Sequence, residues 1–411
     1  MKRSIVAFLE YLFMFFLIIE FNTPYMYFPF IRKAVYLLLF VVLLGLNLSR
    51  MGKIKIDFLI LAILLGTFLP SLNVAEGQFL RFFRMYVLFL SLLVLYLVAL
   101  FKEGRDRVYS LFLKYSNIVS ILATISLSFW FLGSILEIIP YTTVIPNSWG
   151  RDKFIPTYYG IYFETQEAMA TAGQESAMIR NSGIFNEAPM HNMILCVAIA
   201  IEIFLRPKLS KTRVLILVVT IFSTISTTGV IFLVILLSGK FVLAMNTKRR
   251  SIMILCIPIA LLLSVWLVSA LLDNKKETGE GSYNSRSRDI VRCIEVGLEN
   301  PILGVEIFHK ADEVGGTEAS GYGYSNSLFA IFAHGGFYMW ILYLLPLFIM
   351  PLLCYKRDKD IHILGVMMCY FLLFTFTNSH YKYLTLLFIG MGLSYWDMIF
   401  YAKNIKARNI S

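Results

Sequence analysis

Residues 85–101 read MYVLFLSLLVLYLVALF, without one charged side chain. Runs of this kind recur along the whole chain, and they constrain its fold more than any other feature. In hydrocarbon a peptide group finds no water, so such a segment must satisfy its backbone donors and acceptors internally, as a helix. Blocks of about 16–25 residues are long enough to cross a hydrocarbon core about 30 Å thick. Twelve blocks are present, with cores at 5–21, 33–48, 57–73, 85–101, 117–139, 189–205, 214–229, 230–245, 252–272, 327–352, 361–377 and 383–401. The seventh and eighth adjoin at STISTTG (223–229), which reads as a turn or as a kink in one long helix. The expected fold is an all-α integral membrane protein of about 12 transmembrane helices, one polytopic domain over 1–411. Composition agrees, with 58% hydrophobic and 15% charged residues, against about half and a quarter in soluble proteins. The first block carries Glu10 and Glu20 and no small-x-small site follows it, so it reads as a span and not as a cleaved signal.

Orientation follows from the short connections. SRMGKIK (49–55), KEGRDR (102–107), RPKLSKTR (206–213), NTKRR (246–250) and KRDK (356–359) alternate along the chain and are all basic, as are MKR and KNIKAR at the ends. Cytoplasmic loops carry the excess of Lys and Arg, which places these connections and both termini in the cytoplasm. The formal net charge of +11 is thereby dispersed over short anchors and implies no nucleic-acid partner. Two long loops, 140–188 and 273–326, fall outside. No P-loop, dinucleotide fingerprint or zinc spacing occurs, so neither a cofactor nor a metal is expected. Of the five cysteines only Cys293 lies clearly in an outer loop, so no disulfide framework is expected.

The later outer loop contains SRDIVRCIEVGLEN, in which Ile290, Val291, Ile294 and Leu298 share one helical stripe and Arg288, Arg292, Glu295 and Glu299 the opposite one. Ser287 is the expected N-cap, and Asn300-Pro301 ends the helix. Such a helix can lie on the membrane surface, or simply present a solvated face with an Arg292–Glu295 pair. Further on, His334 and Gly335-Gly336 sit in the first turns of the tenth span, where a histidine is either functional or a satisfied structural group. In the earlier loop Tyr158, Tyr159, Tyr162 and Phe163 gather near Glu164 and Glu167, as a sugar-stacking surface or an interfacial aromatic belt. Arg180, Glu187 and His191 lie where that loop re-enters the bilayer. Arg81 and Arg84 stand at the outer foot of the fourth span, as snorkelling residues or as part of a basic ring.

Three stretches carry a family resemblance. SRDIVRCIEVGLENPILGV (287–305), YSNSLFAIFAHGGFYMW (324–340) and IRNSGIFNEAP (179–189) resemble, in order and spacing, motifs of the O-antigen polymerase/ligase superfamily of bacterial surface-polysaccharide synthesis. The resemblance covers residues of about 180–340; the N-terminal third is similar only in hydropathy. It implies a multi-pass protein of the bacterial inner (cytoplasmic) membrane. The implied partners are an oligosaccharide on undecaprenyl diphosphate, membrane lipids and a chain-length regulator, with no cofactor or metal. It implies that arginines receive the departing diphosphate, Arg288 first and Arg180 second, with Arg292, Arg81 and Arg84 in support. Glu187 or His334 would deprotonate the acceptor, and Asn326, Tyr159 and Tyr162 would contact substrate. Ligases of this superfamily carry His before the motif asparagine, where this chain has Ser325. That departure favours a polymerase (Wzy-type), transferring a growing glycan to a lipid-linked repeat unit by an inverting displacement. The alternatives are an O-antigen ligase and, from another class, a lipid-linked glycan flippase or transporter, although no internal repeat is visible.

Overall fold

The computed structural model describes residues 2–50, 58–146, 154–165, 179–244, 280–308 and 326–408. Its helices are α1 (Lys2–Glu20), α2 (Pro29–Leu48), α3 (Phe58–Gly66), α4 (Phe79–Glu103), α5 (Arg105–Ile135), α6 (Ala188–Leu205), α7 (Lys211–Ser223), α8 (Thr227–Ala244), α9 (Glu280–Glu299), α10 (Leu328–Asp358), α11 (Ile361–Phe376) and α12 (Tyr383–Arg408). Among the described residues six helices, α2, α4, α5, α6, α10 and the Tyr383–Phe400 part of α12, are long and apolar enough to cross a membrane. The protein is a mostly helical membrane protein. The expected block 252–272 lies outside the described residues. The block 57–73 is not one helix: α3 stops at Gly66 and the chain continues as a 3-10 turn, Leu69–Asn73, with Pro70 at its start. Proline lacks the N–H that a continuing α-helix would need there. STISTTG is a turn, with Ile225 at φ 49° between α7 and α8.

The chain divides into two compact units. The first comprises residues 1–20, 33–114 and 284–411. Its helices approach closely through small residues, which gain contact where lipid tails supply no hydrophobic drive between helices. A Cβ on Gly392 of α12 would lie 1.9 Å from the Pro346 carbonyl oxygen of α10. One on Gly390 would lie 3.2 Å from Leu93 of α4. Toward one end the charges are paired in the interior. The buried Glu10 accepts from Lys114 Nζ at 2.8 Å and Tyr96 OH at 2.6 Å, and Arg50 pairs with Glu103. Arg105 bridges Asp358 and Asp360, and Asp360 caps α11 through the backbone N–H groups of His362 and Ile363. Several basic residues that mark the cytoplasmic side in the sequence thus also hold helices together.

After α9 the chain forms a strap, residues 300–308, along the start of α10. That helix is interrupted at Gly336, whose φ 60°, ψ −164° is open only to glycine. The strap supplies the acceptors the break removes: Phe337 N–H donates to Pro301 O at 2.7 Å and Tyr338 N–H to Ile302 O at 3.2 Å. Val305 N–H donates to Ala333 O at 3.0 Å. The other edge of the strap binds the 3-10 turn, Ile307 N–H to Asn73 O at 2.8 Å and Asn73 Nδ2 to Leu303 O at 2.7 Å.

Helix α9 differs from the sequence expectation in two respects. It begins at Glu280, so Ser287 lies inside it and is not its N-cap. No proline interrupts 280–287, and the helix continues through Gly281. Its buried stripe is Asp289, Cys293, Val296 and Gly297, against Ala330, Ala333 and Phe332 of α10, while Val291 and Leu298 are exposed. Gly297 decides this, because a Cβ there would fall 2.4 Å from the Phe332 ring. Burial pushes the Cys293 thiol up to about 12, with Asp289 adding to it, so the thiol stays protonated.

The second unit comprises residues 21–32 and 115–283. Its centre is α6, buried over 94% of its length and mostly apolar, with His191, Asn192 and Glu202 as buried polar exceptions. Gly229 at the start of α8 leaves room for Asn192 of α6, whose Oδ1 lies 2.0 Å from where a Cβ would stand. The earlier outer loop is not wholly irregular. It forms an antiparallel sheet of β1 (Thr143–Pro146), β2 (Phe154–Tyr158) and β3 (Tyr162–Phe163), in that order, with Thr143 opposite Thr157 and Tyr158 opposite Tyr162.

Candidate functional site

At the other end of the first unit, polar side chains from four parts of the chain meet. Glu20 ends α1 and is 4% exposed; its Oε2 accepts from Tyr383 N–H at 3.3 Å. Arg81 and Arg84 lie one helical turn apart at the start of α4, just where a π-helical segment, Phe83–Phe89, begins. Such segments are uncommon and gather at functional sites. The Arg84 guanidinium lies 3.9 Å from the centre of the Tyr36 ring, and its Nε donates to Tyr383 OH at 2.9 Å. Arg81 lies 4.2 Å from the centre of the Phe308 ring, on the strap. Among the described residues neither arginine has a carboxylate within ion-pair distance, so aromatic faces fix both guanidinium groups and leave most of their N–H donors unspent. Both act electrostatically on Glu20, together with Lys382.

The fourth part is the turn from Thr377 to Lys382, between α11 and α12. Ser327 Oγ holds it, donating to Thr377 O and accepting from Ser379 N–H at 2.7 Å. The Tyr381 hydroxyl lies 2.8 Å from His334 Nδ1, and the two rings stack with an interplanar angle of 5°. Tyr381 also meets the Phe308 ring at 4.5 Å. His380 is buried, its carbonyl accepting from Tyr343 OH at 2.7 Å. Burial, then the neighbouring His334, Arg81 and Lys382 charges, drive its imidazole well below the ordinary histidine range. It is neutral at pH 7. Among the described residues the buried His380 Nδ1 and Asn326 Nδ2 lack a hydrogen-bond partner, the latter beside an Oδ1 that accepts from Phe329 N–H at 3.0 Å. The arrangement suits a multivalent anion: cations at the rim and neutral donors beneath.

Of the residues singled out by sequence, the structure brings Arg81, Arg84, His334 and Asn326 into this part of the first unit. Arg288 and Arg292 of α9 are exposed, and Arg292 lies 3.5 Å from Glu295. Ser325 and Glu167 lie outside the described residues. The remaining candidates belong to the second unit. Arg180 Nε donates to Thr224 O at 2.9 Å, and Glu187 occupies the N-cap position of α6 without a side-chain cap bond. Tyr159 is exposed, whereas Tyr162 is fully buried and packs on Phe129 and Tyr158. Glu164 accepts from Ser134 Oγ at 2.9 Å and Tyr158 OH at 3.1 Å. Burial, and then Glu164, raise the Tyr158 phenol to about 12. An apolar groove of about 390 Å³, lined by Leu127, Trp130, Phe131 and Val219 among others, also lies in this unit; no ionisable side chain lines it, so it offers no anion chemistry.

Sequence reasoning missed Glu20, Phe308, His380, Tyr381 and Lys382 as site residues. The signal for the last three was present in NSHYKY (378–383), a polar interruption between two apolar blocks, too short to stand out from an ordinary connection. No protein-family model matches the chain, and no curated protein matches it.

Proposed function

We propose that the protein is a polysaccharide polymerase of the bacterial cytoplasmic membrane, with twelve crossings and both termini in the cytoplasm. It extends a glycan held on undecaprenyl diphosphate by transfer to a lipid-linked repeat unit at the outer face. One observation carries this reading: Arg81 and Arg84 are fixed by Phe308, Tyr36 and Tyr383 at one end of a helix bundle, with most of their donors unspent among the described residues. Arg50, Arg105 and Arg107, from two of the basic connections, belong to the opposite end of the first unit, which supports reading this end as the outer one. The donor is already activated, so no nucleotide is required. As the glycosidic bond breaks, its electron pair passes to a phosphate oxygen, and the acceptor hydroxyl oxygen bonds to the anomeric carbon. A guanidinium aimed at that developing charge contributes about 3–4 kcal/mol to the transition state. Arginine suits the task because its planar fork stays charged and matches phosphate oxygens. Lys382 adds a third cation. The loose motif resemblance at 179–189, 287–305 and 324–340 supports the same chemistry.

The test is reconstitution. Purified protein in liposomes containing lipid-linked repeat units, with no nucleotide, is expected to yield a ladder of longer lipid-linked chains. A single transfer to a different acceptor would indicate a ligase, and movement of the repeat unit across the bilayer without extension a transporter.

A further inference from the structure

The buried carboxylate beneath the arginines has no role in the reaction as described so far. Glu20 sits at the carboxyl end of α1, where the helix dipole opposes a negative charge. It is 4% exposed, and its one hydrogen bond among the described contacts is the long one from Tyr383 N–H. Burial disfavours its charge, and the positive charges of Lys382, Arg81 and Arg84 oppose that effect. These cations also face the anion the site is built to receive. His380 feels the charges of His334, Arg81 and Lys382, so the titratable groups here act on one another.

We propose that Glu20 is the proton acceptor of this site, taking up a proton as a prenyl diphosphate occupies the arginines. The inference rests on the function proposed above. A free prenyl diphosphate carries one more negative charge than the glycosylated donor, so Glu20 stays ionised beneath the donor and its carboxylate is repelled only once the diphosphate is free. A proton on Glu20 removes that repulsion and leaves the arginines free to serve the ligand. In glycan transfer the balance closes within the site. The C1–O bond to phosphate breaks and the leaving diphosphate gains one negative charge. The acceptor oxygen bonds to C1 and loses its proton, and Glu20 receives it. Charge then accumulates on the leaving group as the Glu20 carboxylate becomes neutral. The two nearby imidazoles are the competing acceptors, and their variants discriminate.

Titration calorimetry of the purified full-length protein tests this, with a short-chain prenyl diphosphate as probe at pH 7.5 in buffers of differing ionisation enthalpy. The expected result is uptake of close to one proton per ligand by wild type, by His334→Asn and by His380→Asn, and its loss in Glu20→Gln with binding retained. Glu20→Asp, which keeps the acid, is expected to keep the uptake. Undiminished uptake in Glu20→Gln overturns the assignment, as does wild-type binding without uptake. Because Glu20→Gln can fail to fold, infrared difference spectra of wild type provide a second measure. A protonated-carboxyl stretch must appear on ligand addition, and its absence overturns the proposal. Failure of wild type to bind any prenyl diphosphate sinks the diphosphate reading itself, and this inference with it.

Discussion

Two uses of a guanidinium group stand out in the first unit, and the difference decides which arginines matter. Arg50, Arg105 and Arg107 are committed to carboxylates, Arg107 at 3.5 Å from Glu103, and act as structural ties. Arg81 and Arg84 lie on aromatic rings, which orient a cation without consuming its donors. Replacing either by alanine is expected to weaken prenyl diphosphate binding by about 10- to 100-fold, the worth of a charge-assisted hydrogen bond of roughly 1.5–3 kcal/mol. Arg292→Ala, which loses only an exposed pair with Glu295, should stay within about threefold. Equilibrium binding to purified protein checks the ordering, and equal losses at all three positions would discount the aromatic-held pair. His380 makes a separate prediction about pH. Its imidazole pKa is depressed in the folded state, so below the unfolded value of about 6.5 the unfolded chain binds the extra proton. Its contribution to stability is whole above that value and is lost as pH falls. Melting temperatures between pH 7 and pH 5 should therefore drop in wild type and drop less in His380→Asn.

At the scale of elements, the break in α10 is made by two glycines on different segments. Gly336 supplies a backbone conformation closed to other residues, and Gly304 (φ 70°) lets the strap approach until a Cβ would lie 2.3 Å from the His334 carbonyl carbon. The strap repairs the hydrogen bonds lost at the break, brings Phe308 over Arg81, and thereby couples the helix geometry to the site. Gly336→Ala and Gly304→Ala should each destabilise the protein by about 3 kcal/mol or more, since strain and collision add. Gly239 in α8 has open space where a Cβ would stand and an ordinary φ, so Gly239→Ala should be neutral or stabilising by about 0.5–1 kcal/mol. Thermal melting in one detergent compares the three directly. Loss of Phe308 contact in the first two should also lower diphosphate affinity, which a purely global defect would not do at temperatures where the variants remain folded.

For the molecule as a whole, the decisive asymmetry is between the two ends of the first unit, one tied by ion pairs and the other carrying unspent cations. Cysteine substitutions report which side each end faces: a cysteine in place of exposed Lys356 should react only with reagents that enter the cell, and one in place of Ile302 with impermeant reagents from outside. The reverse pattern would remove the proposed site from the outer face. The spans were legible because lipid demands long apolar helices, a constraint written in composition and local order. Arg81 and Arg84 were legible as charges at the foot of an apolar block, His334 as an ionisable group within one, and Asn326 only through the motif resemblance. Glu20 stood out in its apolar block but pointed to no site, and Phe308 and the 380–382 turn look ordinary beside their neighbours; each gains its role from residues far away in the chain. The buried stripe of α9 was misjudged for the same reason. Apolarity along a helix predicts a face, but Gly297 and the Phe332 ring choose it by fit. The sequence by itself determined that this chain lives in a membrane as helices, because solvent transfer acts on each segment independently. Which charges meet beneath which rings was decided only in the tertiary structure, because electrostatic partners are set by close packing between segments that carry no mark of one another.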